Sequence, residues 1–154
     1  MENIPMKDNQ LIITPISNQH LIEYAKMLPH QGALKLSADK LLYVDIDDRY
    51  IHKLCPLLNE PNVEKPDYFS IGIGSHISVI YPNELEEPEF NHGILIDFEV
   101  NSLFSAETTD KIYFALTIHS PRLLEIRVKN KLPKKLNLNG YIVDLHTTIG
   151  IIRK

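Results

Sequence analysis

The sequence predicts an α+β protein with two lobes, each built from a strand–helix–strand unit. Two β-rich stretches, 41–46 and 111–118, are each followed by a helix-start signal, Asp47 or Asp48 in the first case and Ser120 with Pro121 in the second. Each unit then ends in a β-rich run that carries a histidine with a hydroxyl residue two positions later. These pairs are His76 with Ser78 and His146 with Thr148.

The two units also correspond position by position. A shift of 72 residues places apolar positions on apolar positions and one helix cap on the other, as follows: Ile46 on Ile118, Asp48 on Ser120, Ile51 on Leu123 and Leu54 on Ile126. An internal repeat of this kind predicts a pseudo-two-fold fold in which both histidines face one groove.

In the first half, residues 11–16 predict a strand. Ser17 is expected to cap a short helix over 18–28, which Pro29 ends, and residues 30–40 are expected to form a loop. Residues 41–46 predict a strand and 49–58 a helix. The segment 59–69 contains two prolines and is expected to connect this helix to the strand of His76.

In the second half, the acidic, proline-containing segment 81–93 is expected to be a surface loop. Residues 94–100 and 111–118 predict strands. Residues 120–132 fit both a strand alternation and a helical spacing, and the Ser120–Pro121 pair favours the helix. Asn139–Gly140 predicts a turn, and residues 141–152 predict a closing strand.

Length and composition are those of one globular domain of 154 residues. We expect a first lobe at about 36–82, a second lobe at about 108–154, and an N-terminal strand and helix within 11–28. The single cysteine, Cys55, excludes an internal disulfide and a cysteine-rich zinc site. No stretch resembles a signal peptide or a membrane span, so the expected location is the cytoplasm.

Charge is distributed unevenly along the chain. The net charge is −4, yet residues 83–110 contain no lysine or arginine, whereas the segment from Ser120 onward is basic. The basic segment either attracts an anionic ligand locally or forms a solvated face. The acidic balance argues against a long nucleic-acid duplex as partner.

A lone His-x-Ser/Thr pattern carries little information, because chance alone gives roughly 0.6 matches in a chain of this composition. Its simplest explanation is a polar strand face that meets water. Placement of both copies at corresponding points of a repeat favours a shared site instead. Two histidines with ordinary pKa values near 6.5 suit phosphodiester cleavage, because one accepts a proton while the other donates one. This chemistry requires no metal or other cofactor.

The tetrads "HISV" at 76–79 and "HTTI" at 146–149 resemble the hallmark of the two-histidine (2H) phosphoesterase superfamily, which is His-hydrophobic-Ser/Thr-hydrophobic once per lobe. Thr147 departs from the pattern, since an apolar residue is usual there. The resemblance implies antiparallel sheets around a central groove. It implies that His76 and His146 are the acid–base pair and that Ser78 and Thr148 bind the substrate phosphate.

The compact size and the acidic balance of the chain favour a small nucleotide or short oligonucleotide as substrate over long RNA. RNA ends with a 2′,3′-cyclic phosphate, 2′-5′ oligoadenylate and cyclic oligonucleotides all remain open. Aromatic residues near the tetrads either stack on a base or pack in the core: Tyr68, Phe69, Tyr81 and Tyr141. Arg122, Lys129 and Arg153 either bind further phosphates or remain on the solvated surface.

Other interpretations are weaker. A non-catalytic protein that sequesters a nucleotide or binds an RNA end in the same groove is the main alternative. The Asp45-x-Asp47 pattern resembles the haloacid-dehalogenase motif, but the downstream lysine and acidic pair are missing. The five remaining histidines lack a recognisable metal-ligand spacing: His20, His30, His52, His92 and His119. Cys55 lies in an apolar segment and is expected to be buried.

Overall fold

The computed structural model describes residues 11–66 and 73–154. Its elements follow in chain order: β1 (Ile12–Ile16), α1 (Gln19–Met27), β2 (Gln31–Leu36), β3 (Leu42–Asp45), α2 (Arg49–His52), a 3₁₀ helix (Cys55–Leu58), β4 (His76–Ile80), β5 (Leu95–Asp97), β6 (Glu99–Glu107), β7 (Lys111–His119), α3 (Pro121–Lys129), β8 (Leu136–Leu138), β9 (Tyr141–Val143) and β10 (His146–Arg153). None of the helices in these ranges has the length and apolar character needed to cross a membrane.

The predicted α+β class with antiparallel sheets is confirmed. Two four-stranded antiparallel sheets have the orders β1-β6-β7-β10 and β5-β2-β3-β4, and β8 and β9 form a separate hairpin. Strands β4 and β10 therefore occupy equivalent edges of the two sheets. They are joined where the Thr147 hydroxyl donates a 2.8 Å hydrogen bond to the carbonyl oxygen of His76.

Backbone hydrogen bonds repeat the same symmetry. The amide of Ile46 donates to the carbonyl oxygen of Ser75 at 3.2 Å, and the amide of Ile118 donates to that of Leu145 at 2.9 Å. In each half, a residue at the end of the inner strand is thus tied to the residue immediately before a histidine: Ile46 directly follows β3, and Ile118 is the second-last residue of β7. The repeat seen in the sequence corresponds to a repeated local structure.

The prediction of a loop over 30–40 is wrong, because β2 lies inside the sheet between β3 and β5. Gly32 and Leu34 are buried, which is the alternation of a half-buried strand. The glycine allows a close approach of two backbones, since a Cβ at position 32 would lie 2.2 Å from the carbonyl oxygen of Asp45.

Two further strand predictions need correction. The run 94–100 divides at Phe98 into β5 and β6, which belong to different sheets, and β6 continues to Glu107. The predicted closing strand over 141–152 divides at Asp144 and Leu145 into β9 and β10. The predicted turn at Asn139–Gly140 joins β8 to β9, and both of its residues have positive φ, 51° and 98°.

The helices largely follow their cap signals. Helix α1 is capped by Asn18 rather than Ser17, because the Asn18 side chain accepts a hydrogen bond from the amide of Leu21. The helix expected over 49–58 consists only of the single turn α2 and the 3₁₀ helix. Helix α3 forms as predicted, with the Ser120 hydroxyl accepting from the amide of Leu123 at 3.4 Å.

Apolar side chains from both sheets and the helices fill one continuous core. Cys55 is buried, as expected. Arg127 belongs to the basic segment for which a solvated face was one expectation. It is instead completely buried at the centre of a polar network.

Candidate active site

The two predicted histidines lie at the starts of β4 and β10, the equivalent edge strands of the two sheets. His76 begins β4 and His146 begins β10, and both rings are partly exposed. The side chains of His76 and Ser78 share one face of their strand, as do those of His146 and Thr148, because strand side chains alternate. The structure brings the two histidines near enough for the charge of His146 to affect the pKa of His76.

Both imidazoles are oriented by the same local hydrogen bond. His76 Nδ1 donates to the carbonyl oxygen of Gly74 at 2.8 Å, and His146 Nδ1 donates to that of Asp144 at 2.7 Å. A carbonyl oxygen only accepts hydrogen bonds, so each bond fixes the proton on Nδ1. In the neutral ring, the lone pair of each histidine is therefore on Nε2.

Each histidine also contacts one aromatic ring edge-on. Tyr43 lies 6.0 Å from His76 and Phe104 lies 6.1 Å from His146, measured between ring centroids. These contacts restrict the orientation of both imidazoles. Sequence reasoning did not identify either aromatic residue as part of the site.

Burial lowers the pKa of His76, and the charge of His146 lowers it further. The hydrogen bond to Gly74 and the carboxylate of Asp45 oppose this effect. Burial likewise lowers the pKa of His146, against the opposing effects of the carbonyl and the carboxylate of Asp144. Both groups therefore favour the neutral form at pH 7, which is the form that accepts a proton at Nε2.

The two predicted hydroxyls differ in exposure. Thr148 lines a concave pocket together with His146, whereas Ser78 is only 5% exposed and interacts with the phenol of Tyr81. Burial raises the pKa of Tyr81 to about 12, so its hydroxyl stays protonated at neutral pH. Access of a phosphate oxygen to Ser78 therefore requires that this contact rearranges.

The pocket beside His146 has a volume of about 640 Å³, including the solvent at its mouth, and its lining is mainly apolar. Tyr81 and Tyr141, two of the predicted base-stacking residues, contribute to the lining, and Tyr113 and Phe104 contribute as well. The other two, Tyr68 and Phe69, lie outside the described residues. Tyr113, Ala115 and Thr117 are two positions apart along β7, so their side chains share one face of the strand. This spacing is the sequence signal that could have identified one face of the site.

The basic residues considered for additional phosphates lie elsewhere. Arg122 and Lys129 line a surface depression along α3 together with Glu125, and Arg153 pairs with Glu64 at 3.2 Å. Within residues 11–66 and 73–154, no group of three or more His, Cys, Asp or Glu side chains is arranged to hold a metal ion.

A family model described as "Swiss Army Knife, 2H phosphoesterase domain" matches residues 42–154. The match includes both histidine tetrads and every element from β3 to β10. No curated protein and no solved structure matches the chain.

Proposed function

The chain belongs to the 2H phosphoesterase family, and on that premise we propose that it hydrolyses a phosphodiester with His76 and His146 as the acid–base pair. The family supports a phosphoesterase activity. The observation that carries the finer proposal is the matched geometry of the histidines. Both start the equivalent edge strands of the two sheets, which the Thr147 hydroxyl joins, and both have Nδ1 bound to the carbonyl oxygen two residues earlier.

Hydrolysis requires two proton transfers on opposite sides of the phosphorus. In the proposed reaction, Nε2 of one neutral histidine accepts a proton from water as the water oxygen bonds to phosphorus. The bond from phosphorus to the leaving oxygen breaks, and the second histidine, protonated at Nε2, gives its proton to that oxygen. The product is a phosphomonoester, and proton exchange with solvent restores the pair. Each positioned group contributes about 10²–10⁴ in rate.

The two histidines are able to exchange the roles of general base and general acid. Their rings have the same fixed tautomer, so either one serves as base when neutral and as acid when protonated. A bound phosphate favours protonation of one ring, because an adjacent anion stabilises the imidazolium. This effect offsets the lowering of both pKa values by burial.

In the proposed reaction, two hydroxyl side chains hold the non-bridging oxygens, where negative charge must be stabilised, and Ser78 does so after its contact with Tyr81 rearranges. Thr148 lies in the pocket with His146, and Ser78 occupies the equivalent position two residues after His76. The apolar and aromatic lining supports a nucleotide substrate, since bases stack on aromatic rings for about 1–3 kcal/mol each. Tyr81 and Tyr141 are the proposed contacts with the base.

The proposed substrate is a small nucleotide or short oligonucleotide with a 2′,3′-cyclic, 2′-5′ or cyclic-oligonucleotide linkage. The test incubates the purified protein, in EDTA, with 2′,3′-cyclic mononucleotides, 2′-5′ oligoadenylate and cyclic di- and trinucleotides, and separates the products by chromatography. His76→Ala and His146→Ala are compared with His20→Ala, a matched control on an exposed face of α1. We expect one linkage class to be cleaved by the wild type and the control but by neither site variant.

Loss of cleavage in EDTA would contradict the proposed mechanism. Binding of one nucleotide without cleavage would replace it with a sequestering function that uses the same groove.

A further inference from the structure

The two halves of the groove have equivalent backbones but different chemistry. Because directly opposed residues of an antiparallel pair share one face, each sheet presents two rows of side chains on the face of its histidine. The hydroxyl rows are Lys35–Tyr43–Ser78 and Phe104–Ala115–Thr148. The histidine rows are Ala33–Asp45–His76 and Ser102–Thr117–His146.

Charge is confined to the His76 half of these rows. Lys35 Nζ lies 2.8 Å from Asp45 Oδ2, and the two side chains are each 41% exposed. The equivalent positions in the His146 half are Phe104 and Thr117, and none of its six row positions holds a lysine, arginine or carboxylate. A pseudo-symmetric site thus has one charged side and one aromatic side.

Lys35 is placed to meet a ligand as well as Asp45. Its ammonium has three N–H donors, and Asp45 accepts one of them. Tyr43, which stands between Lys35 and Ser78 in the row, contacts the ring of His76. Lys35 is therefore the exposed, charged end of a row that leads through Tyr43 to Ser78 on the strand of His76.

The opposite half provides an apolar enclosure. Phe104 occupies the position equivalent to Lys35 and lines the pocket with Tyr113 and Tyr141. Such a lining favours the flat apolar face of a base over an anion, because burying an unpaired charge there is costly.

We propose that the groove binds its substrate in one orientation, with a nucleoside in the aromatic pocket beside His146 and a second phosphate on the His76 side bound by Lys35. This inference rests on the proposed function and narrows its substrate class to compounds that carry a phosphate in addition to the one cleaved. The added phosphate competes with Asp45 for the Lys35 ammonium. Its contribution to substrate affinity is therefore modest and decreases as the salt concentration rises. The family match begins at residue 42, so Lys35 and the whole of β2 lie outside the matched residues.

The test compares two substrates that differ by one terminal phosphate: a diadenylate with the linkage that the wild type cleaves, and the same compound phosphorylated at its 5′ or 3′ end. For the wild type we expect one of the phosphorylated forms to have a kcat/KM about 3–10-fold higher, through KM, which corresponds to a partly exposed ion pair. In Lys35→Met the ratio of the two kcat/KM values falls to about one. Lys35→Arg, which keeps the charge, and Lys40→Met, a control in an exposed turn, retain the ratio.

A wild type that does not distinguish the two substrates, or a Lys35→Met variant that retains the preference, would overturn the proposal. If the wild type cleaves none of the linkage classes, the proposed function fails, and calorimetric titration of 2′-5′ diadenylate with and without a terminal phosphate still measures the phosphate preference. In that case, tighter binding of the phosphorylated compound by the wild type than by Lys35→Met supports the Lys35 site, and equal binding refutes it.

Discussion

The buried ion pair between Arg127 and Glu84 gives the sharpest prediction about stability. The Arg127 side chain is 0% exposed and that of Glu84 is 3% exposed, and Nη2 lies 2.6 Å from Oε2. All five N–H donors of Arg127 are used: two bonds go to Glu84 and one each to the carbonyl oxygens of Val79, Pro133 and Lys135. The network ties helix α3 to strand β4 and to the segment before β8.

Replacing Arg127 with methionine keeps much of the side-chain volume and removes every one of these donors. Glu84 then retains only the amides of Tyr81 and Asn137, at 3.1 and 3.2 Å, as partners for a buried carboxylate. Breaking a buried pair from one side costs about 3–5 kcal/mol. That loss is a large part of the total stability of a protein of this size, which is on the order of 5–15 kcal/mol.

Urea unfolding followed by far-UV circular dichroism measures the effect as a lower midpoint with an unchanged slope. The expected decrease in Tm is roughly 6–20 °C, at about 2–4 °C per kcal/mol. Arg122→Met is the matched control, because Arg122 is exposed on the same helix and should change stability by less than about 0.5 kcal/mol. The double variant with Glu84→Leu should recover most of the loss, since no unpaired charge remains. Equal stabilities of Arg127→Met and Arg122→Met would refute this reasoning.

Three further predictions concern the site. Thr147→Val removes the hydroxyl that links β10 to the carbonyl oxygen of His76. The free energy of unfolding, measured in urea, should fall by about 1 kcal/mol, and kcat should fall as well; unchanged stability would contradict this role. Asp48→Ala removes the carboxylate that accepts from the amide of Ser75 at 3.1 Å, so kcat should fall, while Asp48→Asn, which keeps an acceptor, should restore most of it. Because both His76 and His146 have pKa values lowered below 6.5, kcat/KM should be maximal below pH 6.5, and a maximum above pH 7 would exclude this pair in the free enzyme.

The same two pKa shifts predict the direction of an effect on folding. A histidine whose pKa is lower in the folded than in the unfolded state stabilises the fold above the unfolded value, and this contribution is lost as the pH falls through the folded value. His76 and His146 both show this direction, so the wild type should lose stability below pH 6.5. Replacing both with glutamine should reduce that loss, as measured by urea unfolding at pH 7.5 and pH 5.

The repeat was readable from the sequence because it rests on local signals. Asp48 and Ser120 occupy equivalent helix starts, and β-branched runs precede and follow them. The two histidines follow at equivalent ends of the repeat. These features place the candidate pair on β4 and β10, whose equivalent places in the two sheets agree with the repeat.

The missed elements depend on tertiary contacts. Strand β2 has a weak pattern because Gly32 and Ala33 carry almost no side chain, and its identity comes from pairing with β3 and β5. Missing β2 also hid the position of Lys35 in the same row as Ser78. Strand β6 was cut short because three of the residues that follow Val100 are polar: Asn101, Ser102 and Ser105. Because the predicted strand ended too early, the position of Phe104 beside His146 was missed as well.

The burial of Arg127 was not predicted, for a different reason. Its surroundings in the sequence are basic and polar, and the pattern gives no sign that one of these cations is buried. Its partner Glu84 lies 43 residues away in an acidic loop whose other glutamates are exposed. Only the three-dimensional approach of that loop to α3 distinguishes this pair from a solvated surface.

The central claim is that His76 and His146 act together on one phosphodiester. Its most direct test is the single-turnover rate, in EDTA, of the preferred substrate with the wild type, His76→Ala, His146→Ala and the double variant. Each single variant is expected to lose about 10²–10⁴ in rate, and the double variant little more than either one, because paired groups act as a unit. Retention of a tenth or more of the wild-type rate by either single variant would contradict it.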